Sequence, residues 1–400
     1  MPAVEKTRLD MQRRLVRIAN AVLDLEPYRP RTGGAQAEGH CPGISSLDRG
    51  EYVMEPSPAA INAIRDFLGR RPISWYPDPD ASELRTRLSE YVSLPQDYIS
   101  CYAGSRLAIE HVFRTYLEAG TEMVISGPVV HSIRVAVRCT GARTIEVEYS
   151  DQFNPLIENL VNSITPRTRA IYVGNPNEIT GTVFGEAELV FLLAYAERTM
   201  IIVDEEYFEF SGRSIADLVA RFPNLTVVRS LSKGFGLTSL KAGYILTDPG
   251  NLQFIHRIKG ENGPDAVAQI AALAALENLD CTREYVADIH QSKKMLGNSL
   301  PEIGYQFRMT PADFILLKVA DSVYAANFLK SENIQALDLS FANSLKGFLR
   351  ISIGTPKQTD ILLLALSRSA ERLATGLNRN RIVEQPGRTK KKSKIPVSAT

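Results

Sequence analysis

Six short runs of apolar and β-branched residues recur through the middle of the chain, at Thr121–Ile125, Thr144–Val147, Ala170–Val173, Met200–Val203, Leu225–Val228 and Ala242–Leu246. Helical stretches such as Glu186–Arg198 separate several of them. Strands alternating with helices predict βαβ units and a mostly parallel sheet with both faces buried. The spacing of Leu9, Leu15, Ile18, Ala19, Val22 and Leu23 predicts a first helix, followed by a glycine- and proline-rich stretch from Pro27 to Gly43. Ser57–Leu68, with Pro58 in its first turn, and Ser82–Val92, with Ser82 as its cap, predict two more helices. After about Gly263 the pattern changes. An alanine-rich helix (Asp265–Asn278) precedes the strand-like stretches "FILLKV" and "FLRISI", which reads as a second, smaller α+β domain.

A chain of 400 residues has room for two domains and a large core. Its net charge of +1 gives no overall bias toward nucleic acid. From Leu377 onward, however, seven basic residues face one acid, Glu384, which predicts a solvated, disordered tail. Cys41, Cys101, Cys139 and Cys281 are far apart and form no CxxC pair, which argues against a metal site or a disulfide framework. The charged start "MPAVEKTRLDMQRR" lacks an apolar core segment, and no run of about 18 apolar residues predicts a membrane span. The cytoplasm is the expected location.

Chemistry concentrates in "RSLSKGFGLTSLKAGYIL". Lys233 lies in a turn between two buried strands, with Ser230 and Ser232 before it and Gly234 and Gly236 after it. Desolvation makes a lysine amine nucleophilic, and a neutral amine forms a Schiff base with an aldehyde. The hydroxyls suit phosphate oxygens, and glycine permits close approach of backbone to ligand. A solvated loop lysine would read the same way in isolation, so the other pieces matter. Asp204 ends an apolar strand, where open α/β sheets bind ligands, and Tyr207 follows three residues later. Gly104 and Ser105 precede a helix, as an N-terminal phosphate site requires. Asn175 and Asn177 mark a polar turn after another strand. Arg350 lies inside an apolar strand and calls for an anion, for which a carboxylate is a bidentate partner.

In kind and in order these pieces resemble the fold type I pyridoxal-phosphate enzymes of the class I/II aminotransferase family. "WYPDPDASELRTRLSEYV" is similar to the histidinol-phosphate aminotransferase branch, and the resemblance runs from about Ile44 to Leu373. It implies an α/β architecture of the aspartate aminotransferase type, with a mostly parallel central sheet in the large domain. Residues 1–60 would pack with the small domain, 61–262 would bind the cofactor, 263–376 would form the small domain and 377–400 the tail. It implies pyridoxal 5′-phosphate as cofactor, linked to Lys233, which would also move the substrate proton. Asp204 would pair with the pyridine nitrogen and Tyr207 with the phenolic oxygen. Gly104, Ser105 and Arg106 would form the phosphate loop, helped by Ser230 and Ser232. Tyr76 would reach the cofactor of the other subunit of a homodimer, and Arg350 would bind the substrate carboxylate.

The chain departs from the family pattern at several places. Lys241 stands where an arginine normally clamps the phosphate, which keeps the charge and loses the fork. In Asn175-Pro176-Asn177-Glu178-Ile179-Thr180-Gly181, Glu178 takes the place of the asparagine that donates to the phenolic oxygen. Either it turns away and Asn177 substitutes, or the proton affinity of the cofactor site is raised. Val130 occupies the place of the stacking aromatic, so His131 is the candidate to cover the ring. Leu337-Asp338 stands where the phosphate-substrate branch often carries an arginine next to an aspartate. With Tyr52 and Phe341 it would make a more apolar pocket for a substrate without phosphate.

The leading expectation is transfer of an amino group between an L-amino acid and a 2-oxo acid, in a specialised biosynthetic setting. Decarboxylation or elimination on the same scaffold is one alternative. A catalytically degenerate, cofactor-binding homologue is another. No nucleic-acid or membrane partner is expected.

Overall fold

The protein is described from a computed structural model that defines the backbone over residues 19–23, 25, 45–47, 56–70, 73–149 and 153–383. Of the expected first helix only Asn20–Leu23 falls within the described residues, as a single helical turn.

Seven strands form the central sheet: β1 (Ile99–Tyr102), β2 (Glu122–Ser126), β3 (Arg143–Val147), β4 (Thr168–Gly174), β5 (Met200–Asp204), β6 (Leu225–Ser230) and β7 (Gly243–Thr247). Their spatial order is β1-β7-β6-β5-β4-β2-β3. Neighbours from β6 to β3 run parallel, whereas β7 runs antiparallel to both β6 and β1. Alternate residues of each strand enter different cores. Ile171, Val173, Ile201, Val203 and Val227 join one apolar cluster, while Ala170, Tyr172, Met200, Ile202 and Val228 join the other. Both faces are dry, as a sheet of continuous apolar runs requires.

The helices of eight or more residues are α1 (Pro58–Arg70), α2 (Ser82–Val92), α3 (Ser105–Tyr116), α4 (His131–Cys139), α5 (Glu186–Tyr195), α6 (Pro249–Lys259), α7 (Ala266–Glu277), α8 (Leu279–Ile303), α9 (Ser322–Ser331) and α10 (Pro356–Val383). Ser82 is not the cap of α2. Its amide donates 2.7 Å to Asp78 Oδ2, so the aspartate four residues earlier satisfies the helix start. Helix α10 continues to Val383, past Leu377 where the basic tail begins, and residues 384–400 lie outside the described residues.

A second sheet, all antiparallel, has the order β10 (Leu337–Asp338), β11 (Phe348–Ser352), β9 (Phe314–Lys318), β8 (Gln306–Met309). Its apolar face packs with α8 and α10 in a third core. Three residues from the edge of the large sheet, Ile179, Tyr207 and Phe210, belong to that same core. The turns after β4 and β5 are thereby held between the two sheets. No described helix is long and apolar enough to cross a membrane.

Candidate active site

The ends of β2, β4, β5 and β6 lie along one edge of the large sheet, and the expected site residues follow them directly. Gly174 of β4 lies beside Asp204 of β5. Asp204 is buried and accepts hydrogen bonds from the Tyr172 hydroxyl (2.7 Å) and the Glu206 amide (3.1 Å). Burial, reinforced by Glu206, pushes its carboxyl up to about 7, against the pull of Arg106 and the Tyr172 hydrogen bond. A buried acid of this kind awaits a cation, and the ring nitrogen of a protonated pyridine would supply one.

Lys233 is half-buried in the turn from β6 to β7, its ammonium 6.0 Å from the centre of the Tyr207 ring. The turn is braced from within. Ser230 Oγ accepts the Ser232 amide (3.1 Å), and the Thr238 hydroxyl donates to the Ser232 carbonyl (3.2 Å). Beneath it, Arg229 and Glu205 form a buried ion pair at 2.9 Å, and the guanidinium lies 3.7 Å from the Phe208 ring centre.

Helix α3 has Gly104 at its N-cap and no side-chain cap, so no side chain of the chain satisfies its first-turn amides, which suits an anion. The start of β7 presses against this loop. A Cβ on Gly243 would lie 2.3 Å from the Ser105 amide nitrogen, so only glycine lets the strand approach so closely. Gly104 has φ +97°, and its ideal Cβ would meet Lys241 at 3.4 Å, which places Lys241 beside the loop with an exposed side chain.

Arg350 is buried on β11, stacked 4.0 Å from the Phe314 ring centre, and donates to the Tyr207 hydroxyl (3.2 Å). Leu337 is its register partner on β10. The structure therefore brings Lys233, Asp204, Tyr207, Arg350, Ser105, Ser230 and Ser232 to one cleft between the sheets. Tyr76 is 88% exposed and faces away from the body of its own chain. Tyr52 lies outside the described residues.

Three expected positions take on a different character. His131 is exposed at the start of α4, and Val130 before it is half-buried. Asn177 is fully buried, and its amide ties its own turn to the one after β2. It donates to the Pro128 carbonyl and accepts from the amides of Ile179 and Thr180 and the Thr180 hydroxyl. Arg106 reaches across the cleft, so that its Nη2 stands 3.6 Å from Glu178 Oε2.

Motifs alone do not point to Tyr172, Glu206 or Asp313. Tyr172 was hidden as one apolar residue of a strand. Glu206 was overshadowed by its neighbours in "DEEY". Asp313 precedes a strand of the second sheet, where spacing gives no signal. It is buried, one carboxylate oxygen has no hydrogen-bond partner, and burial raises its pKa against the influence of Lys233 and Arg350.

These groups fit pyridoxal phosphate. The α3 amides and turn hydroxyls suit its phosphate, the buried Asp204 its ring nitrogen, and Lys233 its aldehyde. The sequence profile of class I and II aminotransferases matches residues 42–366. A dihydroxyacetone phosphate transaminase of Campylobacter jejuni is 30% identical over 321 residues, covering 79% of this chain and 87% of its own. A histidinol-phosphate aminotransferase of Roseiflexus castenholzii is 30% identical over 358 residues, covering 86% and 96%. Among solved structures, the histidinol-phosphate aminotransferase of Sinorhizobium meliloti in complex with pyridoxal-5′-phosphate superposes with a TM-score of 0.78. It is 23% identical and covers 90% of this chain and all of its own.

Proposed function

The chain belongs to the class I and II aminotransferase family, whose enzymes use pyridoxal 5′-phosphate, and from that premise we propose that it moves an amino group between an L-amino acid and a 2-oxo acid. The observation that carries this reading is the meeting of Lys233, Asp204, Tyr207 and Arg350 beside the α3 amides in one cleft. When bound, the cofactor supplies an aldehyde and an electron-withdrawing ring.

The chain supplies the remaining functions. The amides of Ser105 and its neighbours, with Ser230, Ser232 and Lys241, hold the phosphate. Asp204, oriented by Tyr172, keeps a negative charge against the ring nitrogen. Arg350 binds a substrate carboxylate bidentately, stiffened by its stacking on Phe314. Tyr207 offers its hydroxyl to the phenolic oxygen. The Lys233 amine would take the proton from the substrate α-carbon and hold it for return to the carbon on the far side of the transferred nitrogen, two bonds away. The two sheets close the cleft against water, which strengthens each of these interactions.

The division of the chain that goes with this reading is a cofactor domain over 61–262 and a small domain over 263–376. Exposed Trp75 and Tyr76 favour a homodimer in which Tyr76 serves the partner's site. A substrate without phosphate fits Leu337 beside Arg350, although the two relatives are named for phosphorylated substrates. The test is a panel of amino donors, with and without phosphate, assayed for oxo-acid formation alongside cofactor absorbance. Release of carbon dioxide without oxo acid would assign the chain to decarboxylation instead. Turnover confined to phosphorylated donors would overturn the substrate assignment.

A further inference from the structure

The turn after β4 presents a carboxylate to the cofactor cleft, and the structure shows what balances it. Glu178 Oε1 accepts the Val130 amide at 3.3 Å, while Oε2 stands 3.6 Å from Arg106 Nη2. Asn177 is engaged elsewhere, its amide nitrogen donating to the Pro128 carbonyl and its amide oxygen accepting from the amides of Ile179 and Thr180. The second terminal nitrogen of Arg106, Nη1, is buried with no partner, so the guanidinium keeps a donor for an acceptor that belongs in front of it. Tyr207 and Glu178 are near enough to influence each other's ionisation, as are Tyr207 and Arg350.

We propose that Glu178 and Arg106 act as one pair at the phenolic edge of the cofactor, in which Glu178 holds a proton in common with the phenolic oxygen and Arg106 limits how tightly that proton is held. The inference rests on the cofactor reading above. A carboxylate beside a phenolic oxygen cannot share the site as two anions, so one proton stays between them. An amide at position 178 would donate without carrying that proton. A guanidinium 3.6 Å away lowers the proton affinity of the carboxylate and prevents the pair from staying protonated at every accessible pH. Burial works in the opposite direction and raises the Glu178 pKa.

The other charged and titratable groups facing Glu178 are Glu206 and Asp204 at the end of β5, Tyr172 on β4, Tyr207, Arg350 on β11 and Arg134 on α4. All of them remain when Glu178 or Arg106 alone is changed, so a comparison of variants isolates the pair. Glu178 is the proton-holding group, and Arg106, acting through it, is a positioning residue.

The experiment is a pH titration of the cofactor absorbance of the loaded protein, for the parent, Glu178→Gln, Arg106→Gln and the double variant. Glu178→Gln should lower the midpoint by about one unit or more. Arg106→Gln should raise it by a similar amount, and the double variant should fall near Glu178→Gln. Opposite shifts cannot arise from general loosening of the fold. Coincident midpoints for parent and Glu178→Gln, or shifts in one direction for both single variants, overturn the pair. A parent protein that takes up no pyridoxal phosphate overturns the cofactor reading itself, and the pair with it.

Discussion

Arg350, on a strand of the small sheet, donates a hydrogen bond over 3.2 Å to the hydroxyl of Tyr207, which follows a strand of the large sheet. The side chain assigned to the substrate and the one assigned to the cofactor are therefore fixed against each other before either ligand arrives. Phe314 supports both, lying under the guanidinium and edge-on to the Tyr207 ring at 5.9 Å between ring centres. Carboxylate binding would engage the same cation that orients the tyrosine.

Arg350→Ala is expected to raise KM for a carboxylate donor by roughly a hundredfold, because a buried charged partner is removed rather than exchanged. Arg350→Lys should recover only part of the loss, since an ammonium cannot match the carboxylate fork. Steady-state kinetics with one amino donor at saturating acceptor check both.

Lys233→Ala should lower turnover by at least about 10²–10⁴-fold, the range associated with a positioned proton carrier. The α3 amides remain, so pyridoxal phosphate should still bind. Equilibrium dialysis of the variant against cofactor, compared with its turnover, separates the two effects.

Gly243→Ala drives a methyl group into the Ser105 amide. Overpacking of this kind costs about 1–3 kcal/mol, and here it falls on the loop assigned above to the phosphate. Cofactor affinity should fall by about tenfold or more, with a smaller loss of apo-protein stability. Cofactor titration and thermal melting of the apo-protein give the two numbers.

Asp204 has its carboxyl raised by burial to about 7 in the folded apo-protein, above the ordinary value of 3.8. Between these values the unfolded chain binds fewer protons at this site than the folded one, so the contribution of Asp204 to stability falls as pH rises. It is most favourable below about pH 4 and lost by about pH 7. Asp204→Asn removes this dependence. The apo variant should gain on the parent as pH rises through this window, by at most about 1.4 kcal/mol per unit. Urea unfolding of both apo-proteins at several pH values tests the slope, and parallel curves would contradict it.

Much of this architecture is legible in the chain because it depends on local chemistry. Six of the seven central strands coincide with runs rich in apolar and β-branched residues, and the strands inside the sheet are buried on both faces. The lysine turn stands out because its serines and glycines are adjacent in sequence. What escapes is long-range. "ISCY" of β1 is too short to signal a strand, and its place beside β7 comes from pairing across more than a hundred residues. The direction of β7 leaves no mark in its composition. Glu178 looks like a departure from pattern and Arg106 like part of the phosphate loop, and only the fold makes them neighbours. His131 stands with an exposed side chain at the first turn of α4, a placement that a ring near a strand end does not specify.

The antiparallel strand β7 sets Gly243 beside Tyr102, immediately before the loop that opens α3. The two walls of the phosphate cradle thus come from opposite sides of the exposed turn at Glu118–Gly120. If the chain were divided at that turn, Gly104–Arg106 would fall on one fragment and Lys233, Lys241 and Gly243 on the other. Neither piece alone would contain a cradle. Cofactor uptake by the mixed fragments would then report reassembly of the β1–β7 pair, which makes pyridoxal phosphate a sensor of whether the ends of this sheet have found each other.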